Sequence, residues 1–188
     1  MTPIAALFFA GAVLCDRTGV AFAAMLAALW HECGHLLAAR LMHIPLRALR
    51  LDLLGARIEV GGRLLSYGEE WLLAAAGPLF SLLGSLIVAP LWGISYFARI
   101  FSVASLLLGL LNLLPVGSFD GGRMTEAFLY RFTSERCARH IMLAMTFFSL
   151  FLLWALSVYL LLRAGGGLSL FCFSVSLFAR FLEQGKIA

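Results

Sequence analysis

The stretch Val20–Met42 is apolar throughout except at His31, Glu32, His35 and the terminal Arg40. No other feature constrains the fold of this chain as strongly. A bilayer core about 30 Å thick takes about 20 apolar residues of helix, and Val20–Met42 is long enough to cross it. In water such a stretch would have to be covered by others, and the chain carries too many of them. Hydrophobic residues make up 62% of it and charged residues 13%, against about 45–50% and about 25% in ordinary soluble domains. A soluble fold of this size cannot hide that much apolar surface, whereas a bilayer removes the need to hide it. The expected fold class is an all-α polytopic membrane protein.

Six apolar runs are candidates for crossing: Pro3–Cys15, Val20–Met42, Trp71–Ile94, Ile100–Pro115, Ile141–Leu162 and Leu168–Phe181. The first is short. It lacks the basic start and small-x-small cleavage site of a signal peptide and is expected as a short or tilted helix. If all six cross, one side holds Arg40, Arg47, Arg50, Arg57, Arg63, Arg123, Arg131, Arg136, Arg139, Arg180 and Lys186. The other side holds Arg17, Arg99 and Arg163. The positive-inside rule then puts the richer side, with both termini, in the cytoplasm. Leu49–Leu65 is too polar to cross. Leucines and β-branched residues alternate on either side of Gly55, predicting a small β-hairpin that must lie at the membrane interface or against helices. With no linker or repeat, residues 1–188 are expected to form a single transmembrane domain. The four cysteines lack CxxC spacing and are expected as free thiols. No basic run with interleaved aromatics supports nucleic-acid binding. Trp71, Trp92, Tyr96 and Tyr159 lie near span ends, as in an aromatic belt, and His43 and His140 are expected at the interface.

The centre of the second run reads Trp30-His31-Glu32-Cys33-Gly34-His35. Positions i and i+4 share a helix face, so His31 and His35 can offer imidazole nitrogens to one metal. Glu32 stands beside them as in the H-E-x-x-H zinc peptidases, where the glutamate is the general base. Ionisable groups at that depth cost on the order of 2.5–3.5 kcal/mol each and require compensation. The alternative is a buried polar cluster satisfied by neighbouring helices. A catalytic zinc has three protein ligands and an open position, so a third ligand is expected elsewhere in the chain. Asp120 follows Asn112-Leu113-Leu114-Pro115-Val116-Gly117-Ser118-Phe119 and precedes Gly121-Gly122. Pro115, Gly121 and Gly122 are expected to shape a loop around it. Glu126 and Glu135 are the other acidic candidates, in a stretch expected to face solvent. Asn112 could bind substrate backbone or an oxyanion, or equally make a helix–helix hydrogen bond.

These residues together resemble the site-2 proteases, a family of intramembrane zinc metalloproteases. Its two signatures are HExxH on one helix and NxxPxxxxDG on a later one. His31 to His35 and Asn112 to Gly121 match them in order. The likeness extends to the six-helix layout, the hairpin after the motif helix, and Ala76-Gly77-Pro78. The short chain and the hairpin Leu51–Gly62 look most like the sporulation branch, typified by stage IV sporulation protein FB. The resemblance implies one zinc per chain on His31, His35 and Asp120, with Glu32 activating water. It also implies a membrane-tethered protein substrate such as a sigma-factor precursor, membrane inhibitor or regulator proteins as partners, and a place in the bacterial inner membrane. Many members read G-P-x-x-N, and Ser81 stands here in place of that Asn. Neither a PDZ insertion nor a CBS domain is expected within these residues. Two rival readings are a catalytically silent relative, against which Glu32 argues, and a metal transporter, which would spread ligands over several helices and show related halves.

Overall fold

The computed structural model describes residue 16 and residues 18–44, 46–52, 55–60, 64–164 and 168–185. They form two compact units, with the boundary between Leu113 and Leu114. The expected first run lies outside the described residues.

The first unit holds α1 (Val20–Leu41), β1 (Leu46–Asp52), β2 (Gly55–Val60), α2 (Tyr67–Val88), a 3-10 turn (Ala89–Leu91) and α3 (Tyr96–Asn112). Helix α1 opens behind the left-handed Gly19 (φ 75°). Asp16 serves the exposed amides there, its Oδ1 accepting from Thr18 N at 2.9 Å and its Oδ2 from Ala21 N at 2.6 Å. The helix ends in a Schellman motif. His43 takes the left-handed conformation (φ 52°), its N–H donates to Arg40 O, and Ile44 N donates to Ala39 O at 2.9 Å. The accompanying hydrophobic contact is present too, since Ile44, Ala39 and Leu73 form one buried cluster. Helix α2 starts with a capping box between Ser66 and Glu69, and α3 is capped by Ser95. Strands β1 and β2 pair antiparallel from Leu46↔Val60 to Asp52↔Gly55, with an irregularity between Leu46 and Ala48. Pairing thus begins at Leu46, ahead of the expected Leu49. The ladder is a backbone property, and Arg47-Ala48, where the register is irregular, hides it from an alternation count.

Small residues let α1, α2 and α3 approach closely, as helices in lipid do. A Cβ on Gly34 of α1 would come 2.6 Å from the Ala76 carbonyl, and one on Gly84 of α2 2.5 Å from Trp30 Nε1. Trp30 uses that space to donate to Phe80 O at 2.7 Å. Ser102 Oγ of α3 donates to Ser85 O at 2.8 Å and lies 3.1 Å from Ser85 Oγ.

The second unit holds α4 (Asp120–Phe132), α5 (Glu135–Ala164) and α6 (Leu168–Gly185). Helix α4 corrects the expected loop. Gly121 and Gly122 are not a turn but the first turn of a helix, where glycine costs little, and Met124, Glu126, Ala127, Leu129 and Arg131 favour its continuation. Gly122 is needed for packing, because a Cβ there would strike the Val116 carbonyl. Pro115 precedes the helix and accepts from Thr146 Oγ1 at 3.2 Å.

Among the described residues, three helices are long and apolar enough to cross a membrane: Val20–Leu41, Tyr67–Leu91 and Glu135–Arg163. Tyr96–Asn112 is apolar but shorter. Leu86 and Ile87 are about two-thirds exposed, as side chains facing lipid would be.

Candidate metal centre

The face α1 turns inward carries Ala23, Ala27, His31, Gly34, His35 and Ala39, all buried. Opposite it, α2 presents Leu73, Gly77 and Ser81 in steps of four, also buried. The helices run antiparallel in register, so His35 meets Leu73 and His31 meets Ser81. His35 Nδ1 lies 2.8 Å from the Leu73 carbonyl. A carbonyl only accepts, so this nitrogen carries the proton and the neutral ring presents a lone pair at Nε2. His31 Nδ1 lies 2.9 Å from Ser81 Oγ, a group able to donate or accept.

The two Nε2 atoms are 3.3 Å apart. Two nitrogens bound at about 2.0–2.1 Å to one tetrahedral zinc stand about 3.3–3.4 Å apart. The pair therefore has the spacing that such an ion requires, with each ring held at its far nitrogen as metal-bound histidines commonly are. Gly77 lies against this point. A Cβ there would be 2.6 Å from His31 Nε2 and closer still to His35 Nε2. Only a residue without a side chain leaves room for a ligand atom beside the two nitrogens.

Glu32, next along α1, is half-buried with its Oε2 shielded from solvent. Cys33 is exposed, on the face away from the histidines as expected.

The remaining candidates are described within the second unit and at the end of α3. Asp120 is the first residue of α4 and is 9% exposed. Its carboxylate sits where the positive end of the helix dipole favours an anion, with Arg123 Nη1 4.0 Å away. Glu126 accepts from Tyr130 Oη at 2.9 Å, a bond that also raises the Tyr130 hydroxyl above its ordinary value. Glu135 is exposed at the head of α5. Of the three acidic candidates, Asp120 alone is buried. Asn112 does something that neither expectation described. Its Nδ2 donates to Leu108 O of its own helix at 3.0 Å.

The sequence reading missed the Leu73 carbonyl, the clearance at Gly77 and the Ser81 contact with His31. The available signal was the four-residue spacing of Leu73, Gly77 and Ser81, which mirrors the spacing of the two histidines.

A profile of Peptidase family M50 matches residues 88–156, a span that takes in Asn112, Pro115 and Asp120. The chain is 36% identical over 126 residues to Rip3 of Mycobacterium tuberculosis, whose name describes a zinc metalloprotease, in strains Erdman and H37Rv alike. That stretch is 60% of this chain and 32% of Rip3, so the chain spans about a third of the relative's length. The fold is similar to that of the site-2 protease from Methanocaldococcus jannaschii. The TM-score is 0.61 at 19% identity, covering 96% of this chain and 85% of the other. Over part of its length the chain is thus similar to Peptidase family M50 and to a relative named as a zinc metalloprotease, and in fold it is similar to a site-2 protease.

Proposed function

We propose that this chain is an intramembrane zinc metalloprotease that hydrolyses a peptide bond in or beside the transmembrane segment of a membrane-tethered protein. The observation that carries this reading is the pair of Nε2 atoms held 3.3 Å apart deep in an apolar helix, with a glutamate adjoining the first histidine. Asp120 is the third ligand, a role supported by the NxxPxxxxDG signature and by its burial. Together the three would hold one zinc per chain. When bound, zinc polarises the scissile carbonyl and makes water a better nucleophile at neutral pH. Glu32 takes the proton of the attacking water and delivers it to the leaving amide nitrogen. The His31 and His35 rings, fixed at Nδ1, keep their Nε2 lone pairs in place through the cycle.

Six crossings with cytoplasmic termini account best for the charge distribution, since the side holding β1, β2 and α4 carries the arginines. Water would then enter from the cytoplasm. A substrate helix has to unwind before cleavage, and β1–β2 offers a backbone edge to which an extended segment can add as a strand. A sigma-factor precursor is the first substrate to try, on the resemblance to the sporulation branch. Membrane inhibitor or regulator proteins are the expected partners.

The test is proteolysis of a tethered substrate by full-length chain in zinc-loaded proteoliposomes. Glu32→Gln keeps the shape but cannot take a proton, so turnover should fall by about 100-fold or more while bound zinc stays at the wild-type level. Purified Glu32→Gln that cleaves at near the wild-type rate would refute the reading.

A further inference from the structure

The hydroxyl-bearing side chain beside His31, that of Ser81, is fully enclosed, at 0% exposure. It stands at the end of the Leu73–Gly77–Ser81 stripe. We infer that Ser81 is a positioning residue for the metal. Its hydroxyl oxygen accepts the Nδ1 proton of His31 and so turns the Nε2 lone pair toward the ion. The inference rests on the metal-site reading above and assigns this chain's Ser81 a part in it.

The argument starts from the asymmetry between the two tethers. Leu73 supplies a carbonyl, which fixes the His35 tautomer unaided. A hydroxyl does not choose. With Ser81 Oγ donating to Nδ1, the His31 Nε2 would carry a proton and point it at His35 Nε2, 3.3 Å away. With Ser81 accepting, both Nε2 atoms present lone pairs, the arrangement that a shared cation requires. Metal binding therefore selects the accepting state, and Ser81 is the residue present to receive the proton.

Its Cβ is held from behind by α3. Gly109 is so near that a Cβ there would stand 3.1 Å from Ser81 Cβ. The hydroxyl therefore occupies a fixed seat between two helices. Truncation to alanine would strand the Nδ1 proton in an apolar wall, and the ring would lose its outer restraint. Second partners of this kind commonly govern metal affinity by about 10–100-fold.

The experiment uses the full chain in detergent micelles, with zinc competed against a chromogenic chelator and the visible absorption of the cobalt-substituted protein recorded in parallel. Ser81→Ala should weaken zinc by about 10–100-fold and shift the cobalt bands, while the metal-free protein melts as wild type. Ser81→Thr, which restores the hydroxyl, should recover both the affinity and the spectrum. Should the alanine variant fail to fold, Ser81→Cys, close in size but a weaker hydrogen-bond partner, is expected to show the same shift to a smaller extent. Wild-type affinity, within about threefold, and an unchanged cobalt spectrum in Ser81→Ala, or in Ser81→Cys where the alanine variant does not fold, would overturn the role of Ser81. A wild-type chain that takes up no zinc would instead overturn the metal-site reading beneath it.

Discussion

Two helix pairs in this molecule solve the same packing problem differently. Between α1 and α2 the contact is made at Gly34, Gly77 and Gly84, with polar groups reaching across the narrow gaps. Between α5 and α6 it is filled by bulk. Leu150, Leu153 and Leu177 are the buried leucines of these two helices, and Phe147 packs edge-on against Phe178 at 6.1 Å. Each unit also has a serine pair with hydroxyls 3.1 Å apart, Ser85–Ser102 between α2 and α3 and Ser157–Ser174 between α5 and α6, but they are wired differently. Ser102 donates across to the Ser85 carbonyl, whereas Ser157 and Ser174 donate to Trp154 and Phe171 of their own helices. Lipid gives helices no hydrophobic reason to associate, so either filling can hold a pair together. The small-residue version is the one that brings two side-chain nitrogens to 3.3 Å from each other. Bulk provides adhesion, and closeness provides coordinates.

The sharpest way to break this contrast is Gly77→Ala. The new methyl would strike both Nε2 atoms, so zinc retention should fall by more than about 100-fold. Gly68→Ala, which meets nothing within 4 Å, should leave zinc untouched. Elemental analysis of the two purified variants decides this. Full zinc in Gly77→Ala would mean that the approach of α2 does not shape the site.

Next in size is the comparison of serine pairs. Ser102→Ala removes the bond between helices and strands Ser85, at a cost of about 1–2 kcal/mol. Ser174→Ala leaves Ser157 its own Trp154 carbonyl and should cost about 0.5 kcal/mol. Denaturation in mixed micelles measures both, and equal losses would erase the distinction.

His43→Gly tests the end of α1. A non-glycine residue in the left-handed region costs about 1 kcal/mol, so glycine should raise stability by about that amount. A drop would mean that the imidazole does more than fill the position.

The smallest effect lies at the other end of the same helix. The Thr18 hydroxyl, beside Asp16, holds its carboxyl below the ordinary carboxylate range, against a weaker opposing push from burial. A group depressed in the folded state stabilises at all pH values above its unfolded pKa, near 3.9. That contribution fades as pH falls through the lower folded value. Melting curves of wild type and Asp16→Asn should differ by a constant gap above about pH 5 and converge in stronger acid. A gap that closes between pH 5 and 7 would contradict this account.

How much of this could be read in advance depends on which atoms do the work. His31, Glu32 and His35 are legible because the proposed chemistry lies in their side chains and the two histidines have the spacing of a helix face. Leu73 was not, since it acts through a carbonyl that any residue would supply. Gly77 was visible in the Gly-Pro pair, but its reason lies in what stands 2.6 Å away on another helix. Asp120 is legible as a candidate ligand but not as a buried one, and the glycines beside it suggest a loop because in isolation they favour one. The contacts of α4 with Val116 override that preference. Asn112 was expected to reach outward, but a polar side chain in an apolar helix can find a carbonyl one turn back at lower entropic cost.

Pro78 sits inside α2, one residue beyond Gly77. Having no N–H, it cannot close the rung to Ala74, so the ladder of α2 lacks a bond between its two tethers. Leu73 lies on one side of the missing rung and Ser81 on the other. The helix is in effect a pair of callipers with a soft joint, one jaw on each histidine. A bend at the joint alters the span between the nitrogens without breaking a hydrogen bond, and an ion that fixes that span stiffens the joint in return. Hydrogen exchange of the amides that follow Pro78 should therefore slow when zinc is added.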